Sequence, residues 1–157
     1  MLDDSGKCVA VIGQGILVNP RAVDCSVTSR HIVAADWGNQ VHVMSADDGQ
    51  QLIRSFCSHG DGPQQTQYVY GLCVDHGHNR IVLCDYNNKR LSLWSGDGSQ
   101  FLSTVNMPDG EQPLSVCVDR YNNRLSNSLL FIFLFFLFIN KHTKQTHKTK
   151  QTQTGTS

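Results

Sequence analysis

No two cysteines form a C-x-x-C pair, although the chain has six, so zinc-finger spacing is missing. There is no phosphate-binding glycine loop, no G-x-S-x-G, no H-E-x-x-H and no kinase signature, so the sequence offers no catalytic constellation. A basic start followed by an apolar core would mark a secretory leader, but Asp3, Asp4, Ser5 and Gly6 occupy that place. Acidic residues are missing from 126–157, which hold four lysines. The zero net charge of the whole chain therefore hides an asymmetry: residues 1–125 hold 13 acids and nine Lys or Arg, a net of −4. A mildly acidic body lacks the basic footprint that non-specific nucleic-acid binding needs to release counterions. Long apolar runs are scarce too. The run over 129–139 would span about 16 Å as a helix, against a hydrocarbon core of about 30 Å, so no membrane span is expected.

What the chain does have is repetition. Residues 70–105 read YGLCVDHGHNRIVLCDYNNKRLSLWSGDGSQFLSTV, with four short apolar runs at 72–74, 81–84, 91–94 and 101–105. Between them stand His76-Gly77-His78-Asn79, Tyr86-Asn87-Asn88 and Ser95-Gly96-Asp97-Gly98, residues that tolerate positive φ or hydrogen-bond their own backbone. Four strands and three tight turns make one antiparallel sheet. A shift of 49 residues lays Ile32-Val33-Ala34-Ala35-Asp36 on Ile81-Val82-Leu83-Cys84-Asp85, and a shift of 44 lays Val116-Cys117-Val118-Asp119 on Leu72-Cys73-Val74-Asp75. Repetition at this period marks stacked or radially arranged units, and four strands per unit select a β-propeller blade over a helical solenoid.

These residues resemble the NHL repeat. Its strand pattern appears as Gly71-Leu72-Cys73-Val74-Asp75, as residues 81–85, as Asn88-Lys89-Arg90-Leu91-Ser92-Leu93-Trp94, and as Asp97-Gly98-Ser99-Gln100-Phe101-Leu102. The earlier copy, 34–43, is one residue shorter in the signature turn. The resemblance covers roughly residues 1–125. It implies an all-β, incomplete NHL-type propeller with full blades at about 19–56 and 69–105, an outer strand at 8–12, and the inner strand of a further blade near 116–119. Residues 57–69, with Gly60, Gly62 and Pro63, are expected to be an exposed link. Closure takes at least about four blades, so these repeats leave the ring open, and exposed blade edges predict aggregation. Residues 126–157 are expected to be a non-propeller tail. After 125 come the Leu/Phe/Ile run and then a stretch, 140–154, of only Asn, Lys, His, Thr and Gln. The first three have T in the second codon position and the other five A or C in their first two, the pattern of translated non-coding DNA.

The residue types near the turns define the candidate sites. Trp37 and Tyr86 follow the corner aspartates Asp36 and Asp85, and with Lys89 and Arg90 they are expected on one rim, where aromatics beside cations suit a protein hot spot or stacking with single-stranded RNA. Asp36 and Asp85 are read as acceptors for turn N–H groups, with no His or nucleophile recurring beside them. His76-Gly77-His78 has the look of a metal pair but falls in a turn where polar residues are ordinary. The cysteines at 8, 25, 57, 73, 84 and 117 are read as buried structural thiols in a reducing compartment.

The likeness to the C-terminal propellers of tripartite-motif NHL proteins implies a non-catalytic, cytoplasmic recognition module. Its partners would be a protein, such as a ubiquitination substrate, or single-stranded RNA. No cofactor, metal or small-molecule substrate is called for. Ligase chemistry in that family needs a zinc-binding RING, which these residues do not contain. The rival readings are a piece of a secreted amidating-lyase-like propeller, with metal-binding histidines, and a scaffold fragment with no independent function.

Overall fold

A computed structural model of the chain describes residues 4–8, 11–47, 51–119 and 124–127. Ten strands follow in order: β1 (Pro20–Ser26), β2 (His31–Asp36), β3 (Val41–Ser45), β4 (Leu52–Phe56), β5 (Val69–Asp75), β6 (Arg80–Asp85), β7 (Arg90–Ser95), β8 (Phe101–Asn106), β9 (Val116–Asp119) and β10 (Arg124–Asn127). One 3-10 turn, Pro108–Gly110, precedes β9. No helix among the described residues is long and apolar enough to cross a membrane.

The strands form two four-stranded antiparallel meanders, β1-β2-β3-β4 and β5-β6-β7-β8, and a two-stranded piece, β9-β10. The first strands of successive sheets lie beside one another, β1 against β5 and β5 against β9. Each sheet is therefore a propeller blade, and its first strand is the inner one. The strands stand on the apolar runs, and the turns on the Gly, Asn and Asp clusters that take positive φ, among them Asn39, Asn79 and Gly98.

The middle strands read as unbroken apolar runs because both of their faces are covered. Val33, Ala35, Val41 and Val43 of the first blade pack on Val69, Leu72, Val74, Ile81, Leu83 and Trp94 of the second, with Phe56 between them. The opposite face of the second blade buries Cys73, Val82, Cys84, Leu91 and Leu93 against Val116 of the third. Each large apolar side chain buried in this way contributes roughly 1.5–3 kcal/mol. The outer strands β4 and β8 leave Leu52, Ile53, Leu102 and Val105 exposed.

Two expectations need correction, on the third blade and on the link between the full blades. The third blade does not stop at its inner strand: β10 pairs Ser126 with Cys117 and Asn127 with Val116, because backbone pairing tolerates the polar residues that broke the apolar pattern. The expected outer strand at 8–12 falls partly on residues 9 and 10, outside the described part; Cys8 is in a β-bridge, and after the segment the chain turns at Gly13, with the amides of Ile16 and Leu17 donating to the Gly13 carbonyl. The link 57–68 is not merely an exposed connection. It folds back through a parallel bridge between His59 and Thr66, and Thr66 is fully buried with its hydroxyl donating to the Asn39 carbonyl. The tail from residue 128 lies outside the described residues.

Candidate interaction site on the propeller rim

The site begins with a register irregularity that recurs in both full blades. In the first, Pro20 pairs with Asp36 and Ala22 with Ala35, so Arg21 is an extra residue; in the second, Val69 pairs with Asp85 and Gly71 with Cys84, so Tyr70 is. A bulge leaves its extra residue out of the ladder and re-aims its side chain. The residue that follows the corner aspartate, Trp37 or Tyr86, stands across from the bulge. Its amide donates to the carbonyl of the residue two before the bulge, Asn19 or Tyr68. Both of those residues have positive φ, 52° and 63°. For Asn this is ordinary; for a bulky residue such as Tyr68 it is a strained conformation that the surroundings must hold. The Asn39 side chain does so, accepting the Tyr68 amide at 2.7 Å.

Together the two blades build one continuous row of side chains. The Arg21 guanidinium carbon lies 4.0 Å from the centre of the Trp37 ring and 4.5 Å from that of Tyr70. Trp37 meets Tyr68 edge-on with centroids 5.4 Å apart, and Tyr70 meets Tyr86 at 4.5 Å. Trp37 remains 45% exposed. The row therefore does two things: it bridges blades, as Trp37 to Tyr68 and Arg21 to Tyr70, and it presents an aromatic surface to solvent. Cation–π contacts of this kind are worth roughly 0.5–2 kcal/mol.

Of the four residues expected on the rim, Trp37 and Tyr86 belong to this row. Lys89 is exposed in the β6–β7 turn, with φ 55° and its amide donating to the Tyr86 carbonyl. Arg90, by contrast, is spent on the fold. Its Nε donates to Asp85 Oδ2 at 2.9 Å, and its two terminal nitrogens donate to the carbonyls of Asp61, Gly62 and Gln65. Arg21, Tyr68 and Tyr70 carry no motif of their own. The signal for them is the repeat: the 49-residue shift lays Asn19, Arg21 and Trp37 on Tyr68, Tyr70 and Tyr86.

The corner carboxylates are structural acceptors. Asp85 takes the Gln67 amide at 2.7 Å, the Asn88 side-chain amide at 2.8 Å and Arg90. Asp36 takes the amides of Val18 and Gln40, both at 3.3 Å. Contrary to expectation, a histidine and a hydroxyl do stand beside Asp36. His42 Nε2 lies 3.1 Å from Asp36 Oδ2, and its Nδ1 lies 2.9 Å from Ser55 Oγ. A carboxylate only accepts, so Nε2 donates to Asp36, while Nδ1 shares a hydrogen bond with the Ser55 hydroxyl. With His42 and Asp36 buried, the chain of bonds ties β2, β3 and β4 together. The matching position in the second blade is Ser92, also buried.

Of the histidine pair His76 and His78, the second is tied to a carboxylate. His78 Nδ1 lies 2.9 Å from Asp75 Oδ2, which also accepts Arg80 Nε at 2.8 Å. Burial disfavours the Asp75 carboxylate, yet the bonds from Arg80 and His78 outweigh it and hold the group below its usual range. Among the described residues no three His, Cys, Asp or Glu side chains converge as a metal site would require. The cysteines also split: Cys73 and Cys84 are buried and Cys57 half-buried, whereas Cys8, Cys25 and Cys117 are exposed, which corrects the reading of all six as buried. Burial pushes the thiols of Cys57, Cys73 and Cys84 up to about 12, with the Asp85 charge adding to the effect at Cys57.

No family model matches the chain, and no curated protein matches it. Among solved structures it is similar to the WD40 repeats of RRP9 (12% identity, TM-score 0.61, covering 71% of this chain and 32% of that one). It is likewise similar to U3-55K (13%, 0.61, 71% and 33%) and to a hydrazine synthase from Kuenenia stuttgartiensis (12%, 0.59, 71% and 29%). The chain thus spans about a third of the length of each. At such identities the likeness shows the fold, and the fold is that of part of a β-propeller. Function does not follow from it, since the same architecture serves unrelated tasks.

Proposed function

We propose that this chain is a recognition module without catalytic machinery of its own, which binds a protein partner through the row Tyr68, Trp37, Arg21, Tyr70 and Tyr86. The observation that carries the reading is the half-exposed Trp37 flanked by a tyrosine and an arginine across a blade boundary. Trp, Tyr and Arg are the residue types that dominate interface energies. The NHL-like strand patterns support placing it with the propellers of tripartite-motif NHL proteins. In that setting the partner would be a ubiquitination substrate or another protein, the compartment cytoplasmic, and ligase chemistry the work of a RING in a longer parent. Single-stranded RNA is the less favoured ligand, because the repeat region carries a net charge of −4.

The test is proximity labelling in cells with the full chain and with a Trp37→Ala/Tyr70→Ala variant. The expected result is a set of labelled proteins lost in the variant, while its far-UV circular dichroism is unchanged. A set that survives the double substitution would place recognition elsewhere on the molecule.

A further inference from the structure

We propose that Arg21 anchors a carboxylate-reading subsite within the rim, and that its ligand is an Asp or Glu side chain in an extended segment of the partner protein. This rests on the recognition reading above and adds the partner's chemistry to it.

The first ground is the unspent chemistry of Arg21. Arg30, Arg80 and Arg90 each hold an aspartate, namely Asp47, Asp75 and Asp85. Arg54 stands exposed on β4 with no ring contact. Among the described residues, Arg21 alone lies over two aromatic rings, and its guanidinium makes no hydrogen bond or ion pair to any of them. Contact with the two rings leaves its N–H donors without an acceptor among the described residues. A guanidinium oriented by rings and unpaired at its edge matches the two oxygens of a carboxylate, and much of the ordering cost of that contact has already been met by the fold.

The second ground is the backbone that builds the place. Arg21 and Tyr70 are the bulge residues of neighbouring blades, and the positive φ of Tyr68 sets the next ring against Trp37. Strain of this kind, held by Asn39, is found where the side chain it aims has work to do. Tyr68 and Trp37 on one side and Tyr70 and Tyr86 on the other then offer apolar faces to the residues flanking the acidic one.

The charge pattern selects a peptide over a polyanion. The Arg21 guanidinium, with Lys89 as an exposed cation on the same rim, can neutralise an isolated carboxylate. A run of phosphates requires several cations in line, which a body of net charge −4 does not supply.

The experiment is binding of the full chain to an array of random heptapeptides, with decauridylate as the nucleic-acid comparison, for the wild type, Arg21→Gln and Arg21→Lys. The wild type should select peptides with Asp or Glu at one position between apolar residues. Arg21→Gln should lose that selection, with at least tenfold weaker binding of the selected peptides, and Arg21→Lys should recover only part of it because the fork is gone. Arg21 is exposed, so the variants should fold, and near-ultraviolet circular dichroism checks that they do. Peptide binding without an acidic preference, or with a preference unchanged in Arg21→Gln, overturns the subsite and leaves the recognition reading standing. Binding of decauridylate without peptides, or of neither probe, overturns both.

Discussion

Cysteine shows how far chemistry at the scale of a single residue depends on place. The six thiols share one sequence-level reading, yet three are exposed and three are covered, with thiols raised to about 12 at Cys57, Cys73 and Cys84. At pH 8 a thiol at about 12 has a thiolate fraction on the order of 10⁻⁴, and only the thiolate reacts. Alkylation of the native chain with iodoacetamide at pH 8 should therefore modify Cys25 and Cys117 within minutes and leave Cys57, Cys73 and Cys84 unmodified until denaturant is added. Mass spectrometry of the digest reads the outcome; early labelling of Cys73 or Cys84 would mean the blade interface opens. The difference was not legible in sequence, because Cys25 and Cys73 both sit in inner strands and only the neighbouring blade covers one of them. Arg90 teaches the same lesson. Read with Lys89, it belongs to a basic pair at a turn; in the structure it is pinned to the fold, because the carboxylate five residues earlier is buried beside it.

At the scale of the element, the link 57–68 is ordered by tertiary contacts. Gly60, Gly62 and Pro63 mark it as a loop, but what orders it is the Arg90 fork reaching the carbonyls of Asp61, Gly62 and Gln65 while Asn88 reaches that of Gly60. Buried Asp85 sits beneath, with Arg90 as its ion partner. Removing one member of a buried pair leaves the other uncompensated, a loss of about 3–5 kcal/mol. Arg90→Ala should destabilise the chain by that amount in a denaturant titration and speed hydrogen exchange at the Gly60 and Thr66 amides, which are bonded across the loop. A change of less than about 1 kcal/mol would show that the loop is held by other means. The strands themselves were readable without the structure, because period-two and unbroken apolar runs bounded by turn residues are local signals. The bulges were not: a one-residue irregularity is a property of two strands in register.

At the scale of the whole molecule, the two full blades are joined by one apolar layer, and Phe56 is packed within it. It stands at the end of the first blade, packs on Trp94 of the second at a centroid distance of 4.7 Å, and fills the space over Gly98. A Cβ at Gly98 would stand 2.5 Å from the Phe56 ring, at a φ of 68° that only glycine adopts freely. Phe56→Ala should cost about 3–5 kcal/mol and remove much of the near-ultraviolet signal of Trp94. Because the blades share this layer, both should melt together in the wild type. A variant in which one blade melts first would show that Phe56 supplies the coupling; a variant as stable as the parent would show that it does not.

The sequence by itself determined the blade: four strands, three turns, and a repeat near 49 and 44 residues, all set by short-range patterning of apolar and turn-forming residues. It also marked Trp37 and Tyr86, since aromatics directly after corner aspartates stand out in a repeat. Only the tertiary structure decided what those rings meet. Arg21 and Tyr70 reach the rim through bulges, and Arg21 meets Tyr70 across 49 residues of chain only because the two inner strands lie side by side. Pattern within a strand is encoded by neighbours in sequence. The pairing of one blade's edge with the next is a product of packing, and the candidate site lies on that seam.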